Sequence, residues 1–306
     1  TDANAGVITL NEMAVDGSFT LAPNGSGAVT IVNDAALTLA ASTMGGTFSG
    51  TATTGNITQS GVLTISGTTT LVTSANDATI TLGSANAFTG ALTITTNDAS
   101  GTDADVTIDN GTTALIIAAS TIDGDLTLTS GHASGITDSG TVTVGGNLAA
   151  TTDDNNGVIN MGTLAVDGTI ALTTNGNGAA TVVNDAGLAF AASTVTGALS
   201  ATATTGNITQ SGVLTISGTT TLVTSANDAT ITLGSANAFT GALTITTNDA
   251  SGTDADVTID NGTTALIIAA STIDGDLTLT GGNSSGIIDS GAVTVGGNFS
   301  ATTDDN

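Results

Sequence analysis

Two stretches decide how this chain folds: Ile57-Thr58-Gln59-Ser60-Gly61-Val62-Leu63-Thr64-Ile65-Ser66-Gly67 and its likeness Ile136-Thr137-Asp138-Ser139-Gly140-Thr141-Val142-Thr143-Val144-Gly145-Gly146. In each, apolar and hydroxyl side chains alternate and a glycine closes the run. Period-two alternation rich in β-branched residues specifies half-buried strands. The same rhythm sets Leu37, Leu39 and Ala41 against Thr38, Ala40 and Ser42, and Leu126 and Leu128 against Asp125 and Thr127. Asn-Gly pairs at Asn24, Asn110 and Asn175 supply turns between the runs. No stretch has helical periodicity with caps, so helix content is expected to be close to nil.

Outward from these runs the chain repeats itself. Residues 51–129 recur unchanged as 202–280, an offset of 151. Thr1-Asp2-Ala3-Asn4 returns as Thr152-Asp153-Asp154-Asn155 and again as Thr303-Asp304-Asp305-Asn306. The expected organisation is therefore one repeat unit over 1–151, a second over 152–302, and the start of a third over 303–306. Each unit holds an inner half-repeat, marked by the two stretches quoted above. A glycine ahead of a fresh β-like run sets a shorter period: Gly17, Gly46, Gly67, Gly90, Gly124, Gly146 and Gly168, spaced by 29, 21, 23, 34, 22 and 22. Read as one column, these glycines predict six coils per unit and about twelve in the chain, with the two long intervals carrying outward loops.

An all-β chain with coil-scale punctuation is expected to be a parallel β-solenoid. Immunoglobulin-like sandwiches are the rival, but they carry a buried Trp or a corner Tyr, and this sequence has neither. A solenoid lumen also suits a core of Val, Ile, Leu, Ala and Thr. Parallel crossovers favour the right-handed form, so the expectation is a right-handed parallel β-solenoid of coils 21–34 residues long.

Composition narrows function. The 306 residues contain no Lys, Arg or Cys and 26 acidic residues, for a net charge of −26. With nothing to neutralise phosphates, nucleic acid and anionic membrane surfaces are excluded as partners. Yet 39% of residues are apolar and only 8% charged, which orders a chain rather than leaving it unfolded. The acidity, and the lack of any site for trypsin-like cleavage, point to an extracellular or cell-surface location.

The Leu-Thr-Leu, Ile-Thr-Ile and Val-Thr-Val runs closed by Gly-Gly or Asp-Gly resemble the repeats of filamentous-haemagglutinin-type adhesins and autotransporter passengers. The resemblance lies in composition and periodicity along the whole chain. It implies a solenoid and a surface role, and it transfers no site.

Catalysis is not expected. Polysaccharide-processing solenoids need basic residues and aromatic platforms. The lone His132 becomes Asn283 in the second unit, and the lone Glu12 becomes Thr163. The sharper candidate is a metal. In Asp103-Ala104-Asp105-Val106-Thr107-Ile108-Asp109 the odd positions put carboxylates on one outer face and the even positions put apolar groups inward. Asp98 precedes the run, and Asp249, Asp254, Asp256 and Asp260 repeat the set. Clustered carboxylates are hard oxygen ligands suited to Ca²⁺, with a solvated acidic face as the plainer alternative; no other cofactor is expected. The functional expectation is the structural shaft of an extracellular filament or giant adhesin, its partners being further copies of itself, head to tail or covalently continuous. The alternative is a ligand- or glycan-binding segment, with calcium as a stabiliser.

Overall fold

In the computed structural model, residues 5–23, 25–97, 103–248, 252 and 254–304 are described. They contain no helix, and their strands pair in parallel. The fold is a β-solenoid of about 14 turns. Two compact units divide it: residues 1–157 with 165–168, and 158–164 with 169–306.

Within the first unit each turn repeats a simple plan. A long strand such as Phe48–Ala52 is followed by two short ones, Ile57–Gln59 and Leu63–Ile65. The next turn repeats it, and the strands stack in register: Val29 on Phe48, Phe48 on Thr69, Thr69 on Leu92. Backbone N–H and C=O groups thus find partners one turn away, which is how a parallel stack satisfies its ladder.

The alternation read from the sequence sorts side chains as expected. Leu37, Ile57, Ile80, Val106, Leu126 and Leu148 form one inward column, aligned strand by strand, and none is more than 1% exposed. Their neighbours Thr38, Thr58, Thr81, Thr107 and Thr127 form the outward column beside it. Four of the six phenylalanines, Phe48, Phe88, Phe190 and Phe239, are fully buried and are the largest side chains of the interior.

The turn count departs from the expected twelve, and the glycines explain why. They form two columns, not one. Gly46, Gly67 and Gly90 stack on one another ahead of the long strands Phe48–Ala52, Thr69–Thr73 and Leu92–Thr95. Gly124, Gly146 and Gly168 stack separately, ahead of Leu126–Ser130, Leu148–Thr152 and Thr169–Thr173. Intervals of 29 and 34 residues are each about a turn and a half, the distance needed to pass from one column to the other. No outsized coil is needed, and the extra two half-turns make a seventh turn per unit.

At the crossing point the long strand Leu92–Thr95 stacks against two short strands, Leu115–Ile117 and Ser120–Ile122, with Leu92 opposite Ile117 and Thr95 opposite Thr121. From there on the long strands lie in the other sheet, and the short pair has taken the first. The second unit makes the same exchange where Leu243–Thr246 meets Leu266–Ile268 and Ser271–Ile273.

Candidate functional site

The acidic run Asp103–Asp109 lies on the approach to, and along, the strand Val106–Asp109. Ala104, Val106 and Ile108 are buried to 1% exposure or less. Asp103 and Asp105 are exposed and Asp109 is half-buried. The alternation is as the sequence suggested. Asp254, Asp256 and Asp260 occupy the same places before and along Val257–Asp260. Asp98 and Asp249 lie outside the described residues.

The carboxylates run along the stacking direction and bond the backbone of the turn above. Asp105 Oδ1 accepts the Asp125 N–H at 2.8 Å, and Asp125 Oδ1 accepts the Asn147 N–H at 2.7 Å and its side-chain amide at 3.1 Å. The copy in the second unit runs Asp256, Asp276, Asn298, at 2.7 Å and 2.5 Å. Here the Asn298 amide reaches both oxygens of Asp276, at 3.1 and 3.2 Å. The backbone N–H of Asn298, which contributes most, and its side-chain amide hold the Asp276 carboxyl below its ordinary pKa, because donors favour the ionised form.

Glycine makes room for this staple. A Cβ on Gly124 would lie 2.4 Å from Asp105 Oδ1, and one on Gly146 would lie 2.3 Å from Asp125 Oδ1. Each of these glycines therefore packs against an aspartate of the turn before it, Gly124 on Asp105 and Gly146 on Asp125. Asp109 acts more locally. Its Oδ1 accepts the N–H of Gly111 at 2.7 Å, fixing a turn in which Gly111 has φ of +51°, and Asp260 holds Gly262 at 2.8 Å in the same way. Among the described residues, no three acidic or imidazole side chains converge as the ligands of one ion would.

His132 is half-buried in a turn, where its Nδ1 accepts the Ser134 N–H at 2.9 Å. Asn283, its replacement, places Oδ1 on the Ser285 N–H at 2.8 Å. The two side chains share one acceptor geometry two residues ahead, which is why the exchange leaves the turn unchanged.

Sequence reasoning overlooked the buried amides. Asn110 appeared only as half of a turn pair, yet it is fully buried. Its Oδ1 accepts the Phe88 N–H at 2.8 Å, and its Nδ2 donates to Phe88 O and to the carbonyls of Thr113 and Ala114. It stands in for a strand where the short strand Ala87–Phe88 has no successor in its own sheet. Asn86 and Gln59 form a similar corner, exchanging 2.9 Å bonds in both directions. A polar residue that must satisfy several backbone groups away from water can be recognised only once the turns are stacked.

Repeats of unknown function (DUF5649) match residues 26–95, 103–154, 177–246 and 254–305. The chain belongs to that family. Its DUF5649 repeats fall twice in each 151-residue period, once on either side of the exchange of faces. No curated protein matches the chain, and no solved structure does.

Proposed function

We propose that the chain is a length of structural shaft in an extracellular filament or giant surface adhesin, with no catalytic role, extended by end-to-end stacking of its solenoid repeats. The observation that carries this reading is how a following turn buries the one before it, seen by comparing repeat-equivalent positions of the two units. Phe299 is 60% exposed and Ile288 is 51% exposed. Together with Ile268, Leu277, Ile287 and Val293 they border an apolar hollow in the second unit. At the positions of the first unit equivalent to Phe299 and Val293, where a further turn follows, Leu148 and Val142 are buried to 1% and 0%, and Thr137, equivalent to Ile288, is half-buried. A further copy of the fold laid on this turn would bury the hollow and pair the backbone of Phe299–Thr302, which a parallel edge otherwise presents to water. Such a heterologous contact does not close on itself and yields a filament. The acidity without a basic residue suits an exposed surface that must stay soluble.

The test is sedimentation and electron microscopy of the purified chain at about neutral pH, in salt sufficient to screen its charge. Rods of increasing length are expected as concentration rises. The double substitution Ile287→Asp, Phe299→Asp should shorten them to single chains. A monodisperse monomer at high concentration overturns the proposal.

A further inference from the structure

Asparagine ahead of glycine is chemically labile, because the glycine nitrogen has no Cβ beside it and can reach the asparagine side chain. The glycine N attacks Cγ, the Cγ–Nδ2 bond breaks, and ammonia leaves with the proton of the glycine N–H. Water then opens the cyclic imide at either carbonyl, leaving aspartate or isoaspartate. No cofactor or partner is needed. Two things permit the reaction in a folded chain: an exposed asparagine, and a glycine N–H that no acceptor already holds. Five such pairs begin at a described asparagine, namely Asn110, Asn156, Asn175, Asn177 and Asn261; Asn24, ahead of Gly25, lies outside the described residues.

Asn110 and Asn261 meet neither condition. Both are 0% exposed, and each Nδ2 donates to three carbonyls. Their glycines donate to Asp109 Oδ1 and Asp260 Oδ1 at 2.7 and 2.8 Å. Asn156 and Asn177 are exposed, but the glycines after them are buried and held. Gly157 N–H donates to Asp154 O at 3.1 Å, and Gly178 N–H to Asn175 O at 3.0 Å. Asn175 meets both conditions. It and Gly176 are exposed, and among the described residues the Gly176 N–H has no acceptor. The turn around it is pinned, with Gly178 O accepting the Thr174 hydroxyl at 2.7 Å and the Gly197 N–H at 2.8 Å. Gly176, at φ of +65°, forms the unbonded apex.

We propose that Asn175 is a modification site of the folded chain, deamidated spontaneously ahead of the other four pairs. The stacked turns protect Asn110 and Asn261, which react only after the solenoid opens locally. Conversion puts a carboxylate on a turn, residues 174–178, that carries no charge, in a chain with no Lys or Arg to offset it. Isoaspartate does more, because the main chain then runs through Cβ and Cγ. The Asn175 oxygen that accepts the Gly178 N–H leaves the main chain and becomes part of a side carboxylate, so the turn loses its closing geometry.

The experiment incubates the purified chain in mildly alkaline buffer, folded in one arm and unfolded in concentrated urea in the other, with circular dichroism to check the fold. Each arm is sampled over time and digested with pepsin, which needs neither Lys nor Arg. Mass spectrometry reads the conversion of amide to acid, and electron-transfer fragmentation separates isoaspartate from aspartate. Asn110 and Asn261 lie in identical stretches and are read together. In the folded arm Asn175 is expected to convert first, and Asn110 with Asn261 at least about tenfold more slowly, since they wait on local opening. In urea the rates should converge. Asn175→Gln, which would have to close a larger and slower ring, should abolish conversion of that turn and leave the other sites unchanged. No conversion at Asn175 in the folded arm, or conversion of any of the other four as fast as Asn175 there, overturns the proposal. So does a spread of rates in urea equal to that in the folded arm, which would place the selectivity in the sequence and not in the fold.

Discussion

The two half-repeats on either side of residue 100 use the same grammar on opposite faces. Before it, Gly67 precedes the long strand Thr69–Thr73 in one sheet. After it, Gly146 precedes the long strand Leu148–Thr152 in the other. Both halves follow glycine, long strand, short strand, short strand. A half-repeat occupies about three and a half turns, so its successor starts half a turn out of phase. The difference teaches that the motif encodes a succession of strands and bends, while the face each strand joins depends on the length of chain already wound.

The halves also differ in what their glycines touch, and the largest expected effect breaks the likeness there. A Cβ on Gly67 would lie 2.5 Å from the backbone of Gly46 and 2.6 Å from Thr47 N. Backbone cannot step aside without shifting a whole turn. A Cβ on Gly124 meets the Asp105 carboxylate first, at 2.4 Å, with backbone next at 2.8 Å. Gly67→Ala is expected to cost about 3 kcal/mol, at the upper end for overpacking, and Gly124→Ala clearly less. Urea melts of the two variants check the order. Equal losses would mean that the two glycine columns are packed alike.

A second contrast sharpens the comparison between copies of one half. In the first unit Phe48 lies beside Gly50, where a Cβ would come within 2.8 Å of the ring. The second unit has Leu199 and Ala201 at these positions, and Phe190 where the first has Leu39. The ring has moved and the volume has moved with it. Gly50→Ala alone should destabilise by about 1–3 kcal/mol, and adding Phe48→Leu should recover part of that loss. Calorimetry of the single and double variants tests the coupling; strict additivity would show that the two sites are independent.

Much of this architecture was legible in the sequence. Period-two alternation identified strands such as Val142–Val144 and their buried partners, and the exact recurrence of residues 51–129 revealed the long period. The half-turn phase was not legible, because Gly46 and Gly124 look alike in sequence and differ only in the column they join. The acidic run could be placed on an outer face but not given a role. What Asp105 bonds is a backbone N–H twenty residues away, and that pairing exists only after turns stack. Asn110 was hidden for the same reason.

A smaller effect is expected from a hydroxyl that the core leaves without a partner. Thr69 Oγ1 and its copy Thr220 Oγ1 are buried and make no hydrogen bond. They lie at the inward start of the long strand, stacked against Phe48 in the first unit and Leu199 in the second. Thr69→Val keeps the shape and removes the stranded polar group, so it should stabilise by about 1 kcal/mol. Thr220→Val should do the same in its own unit. A loss of stability in chemical denaturation would mean that the hydroxyl does bond, through water.

The smallest effect separates the two carboxylate staples. Asp276 and Asp125 each accept the backbone N–H of the turn above, but the Asn298 amide touches both oxygens of Asp276, while Asn147 touches one oxygen of Asp125. The folded-state pKa of Asp276 is lowered, so the native state favours its ionised form. The stability it contributes is fully present above the unfolded-state value, about 4. It is lost as pH falls through the lower folded value, where both states are protonated. Asp276→Asn keeps an oxygen facing Asn298 N–H and removes the titration. The melting temperature of the parent should exceed that of the variant by about a degree or two near neutrality. The gap should close as the medium is acidified through the carboxylate range. A gap that widens in acid would mean that Asp276 stabilises the fold in its protonated form, contrary to the direction set by its two donors.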